Sequence, residues 1–191
     1  MDIARREYQV ALSPTMHVFE IRLADADRRV FDTLALRVAR HPSESAEYLL
    51  TRVLAYCMEY VEGIAFSSGG LSAPDEPAIA VRDLTGVLQS WIDIGLPEPA
   101  RLHKASKAAP RVAVYSHKNM VAWLAKLAGE KIYRADKIEI NSLDAELLTA
   151  LAARLERRMQ LDLSIAEHNL YVTLGDDTLS GVVSQQRIGS R

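Results

Sequence analysis

The chain has 191 residues, 49% of them hydrophobic, enough to bury a full core within one domain. A formal net charge of −2 excludes a global basic field that would draw it onto nucleic acid or anionic lipid, so any such binding must be local. The one cysteine, Cys57, excludes an internal disulfide, the start "MDIARREYQV" has no continuous apolar stretch, and nowhere do about 18 apolar residues run together as a membrane span requires. A cytoplasmic protein with no membrane partner is expected.

Taken in order, "MHVFEIRLAD" and "RVFDTLALRVAR" predict a hairpin: Val18, Glu20 and Arg22 alternate with Phe19, Ile21 and Leu23, and "DADR" supplies turn chemistry. Pro42 and Ser43 then open a helix, with Ser43 as its cap and Glu44 and Glu47 at its positive end. Leu50, Val53, Leu54, Cys57 and Val61 recur at helical spacing, and Gly63 ends the run. Cys57 therefore reads as core. "IAFSSGGLSAPDEP" is a short strand or loop, followed by strands at 78–84 and 87–94, a helix over 98–109 and the strand "RVAVYS". A helix near 118–129, the strand "KIEIN" and a helix from Ser142 continue the alternation. The tail has strand composition, with turns at Glu167 to Asn169 and Gly175 to Asp177. This order predicts an α/β chain of mixed α+β type: one domain over 1–191, a central mixed sheet flanked by helices, and extra strands at both ends.

The stretch "WIDIGLPEPARLHKA" carries the chemistry, because Asp93 interrupts an apolar strand and needs either a partner or a task. If Thr85 and Gly86 make a two-residue hairpin loop, Leu84 faces Val87 and the count places Ala78 opposite Asp93, with Gln89 and Trp91 on the Asp93 face. The next helix presents Arg101, Lys104, Ala105 and Ala108 on one side, with Lys107 close by. A carboxylate at a strand end facing a helix-borne lysine can hold a hard divalent cation and a phosphate together. It can equally be a structural ion pair with Arg101 or Lys104.

The segments "ARHPSES", "DEPA" and "WIDIGLPEPARLHKA", in this order and spacing, resemble the YaeQ family of small bacterial proteins over most of the chain. That resemblance implies a variation on the restriction-endonuclease-like PD-(D/E)XK fold, whose site uses two strand-borne acids on Mg²⁺ and a lysine two residues on. Carried over, Asp93 fills the second acid slot, Gly95 stands where the lysine would be, and the family pattern has Lys104 supply it from the helix. The first acid slot reads Pro77-Ala78, and Ala78 cannot ligate; Asp75 or Glu76 would stand in, and Glu62 resembles an accessory acid.

Arg101, His103, Lys104, Lys107 and Arg111 could track a phosphate backbone or be a solvated face. His17, His41, His103, His117 and His168 lack metal-ligand spacing. "ARHPSES" could hold an anion at the helix start but reads better as a plain cap. No G-x-S-x-G, G-x-G-x-x-G or Walker pattern is present, so no nucleotide cofactor is expected. Two functions stay open. One is a Mg²⁺-dependent phosphodiesterase with a degenerate site: Asp93 as catalytic metal ligand, Asp75 or Glu76 as further ligands, Lys104 and Gln89 assisting, Arg101 and Lys107 on the substrate. The other is a non-catalytic descendant that binds nucleic acid or a protein partner through the same face.

Overall fold

The structure is a computed structural model and describes residues 13–67 and 75–189. In chain order the elements are β1 (Thr15–Asp25), β2 (Val30–Arg40), α1 (Ala46–Met58), β3 (Ile64–Phe66), β4 (Ile79–Arg82), β5 (Leu88–Ile94), α2 (Pro99–Ala108), β6 (Arg111–Ser116), α3 (Val121–Ala128), β7 (Glu139–Leu143), α4 (Ala145–Ala152), β8 (Arg158–Ala166), β9 (Asn169–Leu174) and β10 (Asp177–Gln186). The strands form one mixed sheet of ten, ordered β2-β1-β8-β9-β10-β7-β6-β5-β4-β3. β1 pairs β8 in parallel, as β5 does β6 and β6 does β7; the remaining neighbours are antiparallel. The mixed α/β architecture, with hairpins at both chain ends, is the one expected. Of "IAFSSGGLSAPDEP", the first three residues form β3, and residues 68–74 lie outside the described residues.

Alternation shapes the first hairpin. Phe19, Ile21 and Leu23 of β1 and Leu34, Leu36 and Val38 of β2 are buried in the apolar cluster that also takes in α1 and α4, whereas Glu20 and Arg22 face water. The turn is tied down as well as formed: Asp25 accepts from the Arg28 backbone and Nε, and the same guanidinium donates to the Cys57 and Tyr60 carbonyls, covering the exposed end of α1.

The cap of α1 differs from the expectation. Ser45, not Ser43, accepts the Tyr48 amide at 3.1 Å. Glu44 turns inward instead, accepting from the His41 amide and pairing with buried Arg52 at 3.2 Å, and this holds residues 41–44 in a turn ahead of the helix. Leu50, Val53, Leu54 and Cys57 are buried as the spacing requires, and burial pushes the Cys57 thiol up to about 12. The helix stops at Met58, so Val61 is exposed and Gly63 lies in the turn before β3.

Two more helix starts shift for local reasons. α3 begins at Val121 rather than near 118, because the Ser116 and Asn119 side chains hold the Lys118 and Val121 amides in turns. α4 begins after Asp144, which accepts from the Glu146 and Leu147 amides; Ser142 and Leu143 are spent in β7, paired with Ser184 and Val183 of β10. On β10, Gly181 lets α4 close onto the sheet: a Cβ there would come within 2.8 Å of the Asp144 and Leu147 Cβ atoms. α1 and α4 cover one face of the sheet, while α2 and α3 cover the other face over β5, β6 and β7 through Leu102, Trp123 and Leu127 on Trp91, Val112, Val114 and Ile140. Among the described residues no helix is long and apolar enough to cross a membrane.

Candidate functional site

The β4–β5 hairpin sets the position of Asp93 through two departures that cancel. Its loop has three residues, Leu84, Thr85 and Gly86, closed by the Asp83 amide donating to the Val87 carbonyl, rather than the two expected. One residue later in β5 a bulge compensates: Arg82 opposes Leu88 but Val81 opposes Ser90, leaving Gln89 without a partner across the ladder. Beyond it the register is Ile79 to Ile92, and one further step puts Ala78 opposite Asp93, as the two-residue count had it. The bulge has a second consequence. Gln89 turns to the loop and donates to Asp83 at 2.7 Å, so it does not assist at Asp93.

Asp93 meets a cation from α2, and that cation is Arg101. The carboxylate is 2% exposed, and its two oxygens accept from Arg101 Nε at 2.8 Å and Nη2 at 2.7 Å, a fork-on-fork pair. Nη2 also donates to the Glu76 carbonyl at 2.7 Å, and the guanidinium lies 5.5 Å above the Trp91 ring. One arginine thus joins α2, β5 and the segment entering β4. Tyr48 of α1 stands within electrostatic reach of the pair, with burial pushing its hydroxyl up to about 12. Nothing local in the sequence links Tyr48 to Asp93; only the packing of α1 on the β5 end brings them together.

The other expected groups disperse. Lys104 pairs with Asp75, both exposed, and its ammonium holds that carboxyl below the usual range. The Glu76 carboxylate accepts from Ser67 at 2.7 Å. Lys107 faces solvent on the outer side of α2. Glu62 is exposed in the turn after α1. Arg111 leaves the basic face: it opens β6 and is held by Glu59 at 2.6 Å and by Glu139. Gly95, just past the end of β5, has φ +89, a backbone region costly to any side chain, so the position where a lysine would stand favours glycine.

Among the described residues no three His, Cys, Asp or Glu side chains converge as a metal shell. Asp93 has both oxygens on Arg101, while Asp75 and Glu76 each give one oxygen to a different protein donor and the three do not converge, so this donor set does not fit Mg²⁺ as it stands. What the arrangement does is lock α2 onto the sheet. Beyond it, α2 turns a basic side outward. The Tyr133 amide donates to His103 Nδ1 at 3.3 Å and docks residues 131–137 beside the helix, with Arg134 stacked 5.1 Å above the Tyr133 ring. Arg134 and Lys137 line a shallow groove with Ser106 of α2 and Ala109, its C-cap. Lys131, Arg134 and Lys137 were not singled out in the sequence, because they are distant from α2 along the chain.

A family model described as YaeQ protein matches residues 10–182. The protein named YaeQ from Escherichia coli strain K12 is 32% identical over 170 residues, covering 88% of this chain and 92% of that one. The YaeQ of Salmonella typhi is 31% identical over 166 residues, covering 86% and 91%. Among solved structures, the YaeQ protein of Pseudomonas syringae superposes with a TM-score of 0.81 at 28% identity, covering 90% of this chain and 95% of that one. The YaeQ protein of Xanthomonas axonopodis pv. citri superposes with a TM-score of 0.82 at 27% identity, covering 92% and 99%. A shared hairpin fold and sequence likeness over nearly the whole length agree, and the chain belongs to the YaeQ family.

Proposed function

We propose that the chain is a non-catalytic descendant of the restriction-endonuclease-like fold that binds the phosphate backbone of duplex nucleic acid through the outer side of α2 and residues 131–137. The observation that carries this reading is the bidentate hold of Arg101 on Asp93. A carboxylate with both oxygens committed to a guanidinium, opposite an alanine and two residues before a glycine, supplies neither metal shell nor base. The fold likeness is supported by a site hairpin in a mixed sheet with helices on both faces. The binding surface is supported by Lys107 and Lys131, exposed and in no ion pair among the described residues, beside Arg134 and its aromatic platform.

The test is fluorescence anisotropy of a labelled 20-base-pair duplex against salt. Exchanging Lys107→Glu and Lys131→Glu is expected to weaken binding at every sequence and to flatten the slope of log K against log salt by ~0.9 for each phosphate no longer neutralised. No binding at low salt overturns the reading. Cleavage of the duplex in Mg²⁺ or Mn²⁺ that disappears in Asp93→Ala would reinstate the phosphodiesterase, with the Arg101 pair opening to admit the ion.

A further inference from the structure

Among the described residues, the five strands β2, β1, β8, β9 and β10 bury one face in the apolar cluster that includes α1 and α4, and no described element covers the other. The registers order the opposite face into ranks that cross the strands. Phe31, Ala24, Ser164, Tyr171 and Ser180 form one rank; Thr33, Arg22, Asp162, Thr173 and Thr178 the next; Ala35, Glu20 and Gln160 a third; and Arg37, Val18 and Arg158 a fourth.

A solvated sheet face ordinarily carries scattered polar groups, and three features here go beyond that. First, large aromatics are left in water at set places: Phe31 is 71% and Tyr171 42% exposed, in one rank, with only Ala24 and Ser164 between them. Three strand steps separate them by roughly 14 Å, which leaves a shallow trough with an aromatic wall on each side. Second, the charges are sorted. Both carboxylates of the face are already matched, Asp162 by Arg22 in a two-point pair and Glu20 by Gln160 at 2.7 Å. Arg37 and Arg158 have no such partner among the described residues and stand in one rank, two strand steps or about 10 Å apart. Third, the ground between the aromatic and arginine ranks is hollow: a cleft of about 430 Å³ lined by Glu20, Arg22, Thr33, Gln160, Asp162 and Thr173.

Unmatched guanidiniums call for an anion, exposed rings for flat apolar faces, and the intervening amide and hydroxyl groups for hydrogen-bonding edges. One polymer offers all three repeatedly, and a duplex does not, because its bases are stacked on each other. We infer that this bare sheet face binds single-stranded nucleic acid, with phosphates at Arg37 and Arg158 and bases on Phe31 and Tyr171. From the arginine rank to the aromatic rank is six residues of strand, about 20 Å, a footprint at the short end of single-strand sites. This surface is separate from the α2 side and does not depend on the duplex reading.

The test uses the full chain and labelled 12-mers of uridine and of thymidine, read by anisotropy, with the 20-base-pair duplex alongside. Phe31→Ala with Tyr171→Ala is expected to lower single-strand affinity by about tenfold or more and to leave the duplex curve in place. Arg37→Ala with Arg158→Ala is expected to weaken single-strand binding and reduce its salt slope by ~0.7 for each phosphate set free. All four side chains point to solvent, so the variants keep the circular dichroism of the parent. Unchanged single-strand binding in both double variants overturns the inference. So does a loss confined to the arginine variant, which marks a generic polyanion surface. If the Lys107 and Lys131 variant alone abolishes single-strand binding, the α2 side is the only interface; if the duplex never binds while the aromatic variant loses the 12-mers, the duplex reading fails and this one stands.

Discussion

β6 and β1 are strands of one sheet that meet different surroundings. In β6 every residue from Val112 to Ser116 is buried, since α1 packs one face and α2 and α3 the other; in β1 buried Phe19, Ile21 and Leu23 alternate with Glu20 and Arg22 in water. The doubly covered region spends its polar groups on structure: Asp93 on Arg101, and Tyr115 on Glu59 at 2.6 Å. The singly covered region leaves arginines, hydroxyls and aromatics facing outward. Burial thus sorts the polar groups, and the acid that looks most functional in the sequence is the one the fold pairs with a guanidinium.

That contrast can be broken most forcefully at Arg101. Arg101→Ala leaves the Asp93 carboxylate buried without its cation, and a loss of about 3–5 kcal/mol in urea unfolding is expected. Adding Asp93→Ala to that variant should recover part of the loss; a double variant worse by the simple sum would mean the two side chains act independently. Next come two positions on opposite faces of the hairpin. Ile21→Ala empties a fully buried site and should cost about 2–5 kcal/mol, whereas Phe31→Ala, exposed, should stay within about 0.5 kcal/mol. A large cost at Phe31 in the same assay would show that the outer face is packed after all.

A smaller effect is expected where α4 meets β10. Gly181→Ala forces its methyl against the Asp144 and Leu147 Cβ atoms and should cost about 1–3 kcal/mol, seen as a lowered unfolding midpoint; an unchanged midpoint would mean α4 can lift off freely. The smallest is a pH effect. Burial holds His117 below its ordinary 6.5, with neighbouring Lys118 adding to this and Glu47 opposing it, while Thr51 hydrogen-bonds Nδ1 at 2.9 Å. The unfolded chain therefore binds more protons just below 6.5, so stability rises with pH through that window and falls as the pH drops into it. His117→Gln should flatten that part of the profile in chemical unfolding; a slope that persists belongs to another group.

Much of the site was legible in part. The strand bearing Asp93, its facing Ala78 and a cation from the next helix all follow from alternation and a short loop, but the choice between Arg101 and Lys104 did not. Both sit on one side of α2, and only the pitch of the helix against β5 brings Arg101 over Trp91 and down to the carboxylate while Lys104 swings outward to Asp75. Gln89 was misplaced because a one-residue bulge reverses which way a side chain points, and a bulge leaves no mark in the residue pattern. Ser43 was the expected cap of α1, and Ser45 takes its place because buried Arg52 draws Glu44 inward and holds the residues before it in a turn.

Local periodicity, turn residues and caps are short-range properties, and from them alone came the alternation of the first hairpin, the turns of the tail and the mixed α/β class. Everything that depends on residues far apart in the chain was left to the tertiary structure. The parallel pairing of β1 with β8 is the plainest case: it sets Arg22 beside Asp162 and Arg37 in rank with Arg158, more than a hundred residues away. No local free energy distinguishes that partnership from others, because it is selected only when both strands bury their inner rows in the one core they share.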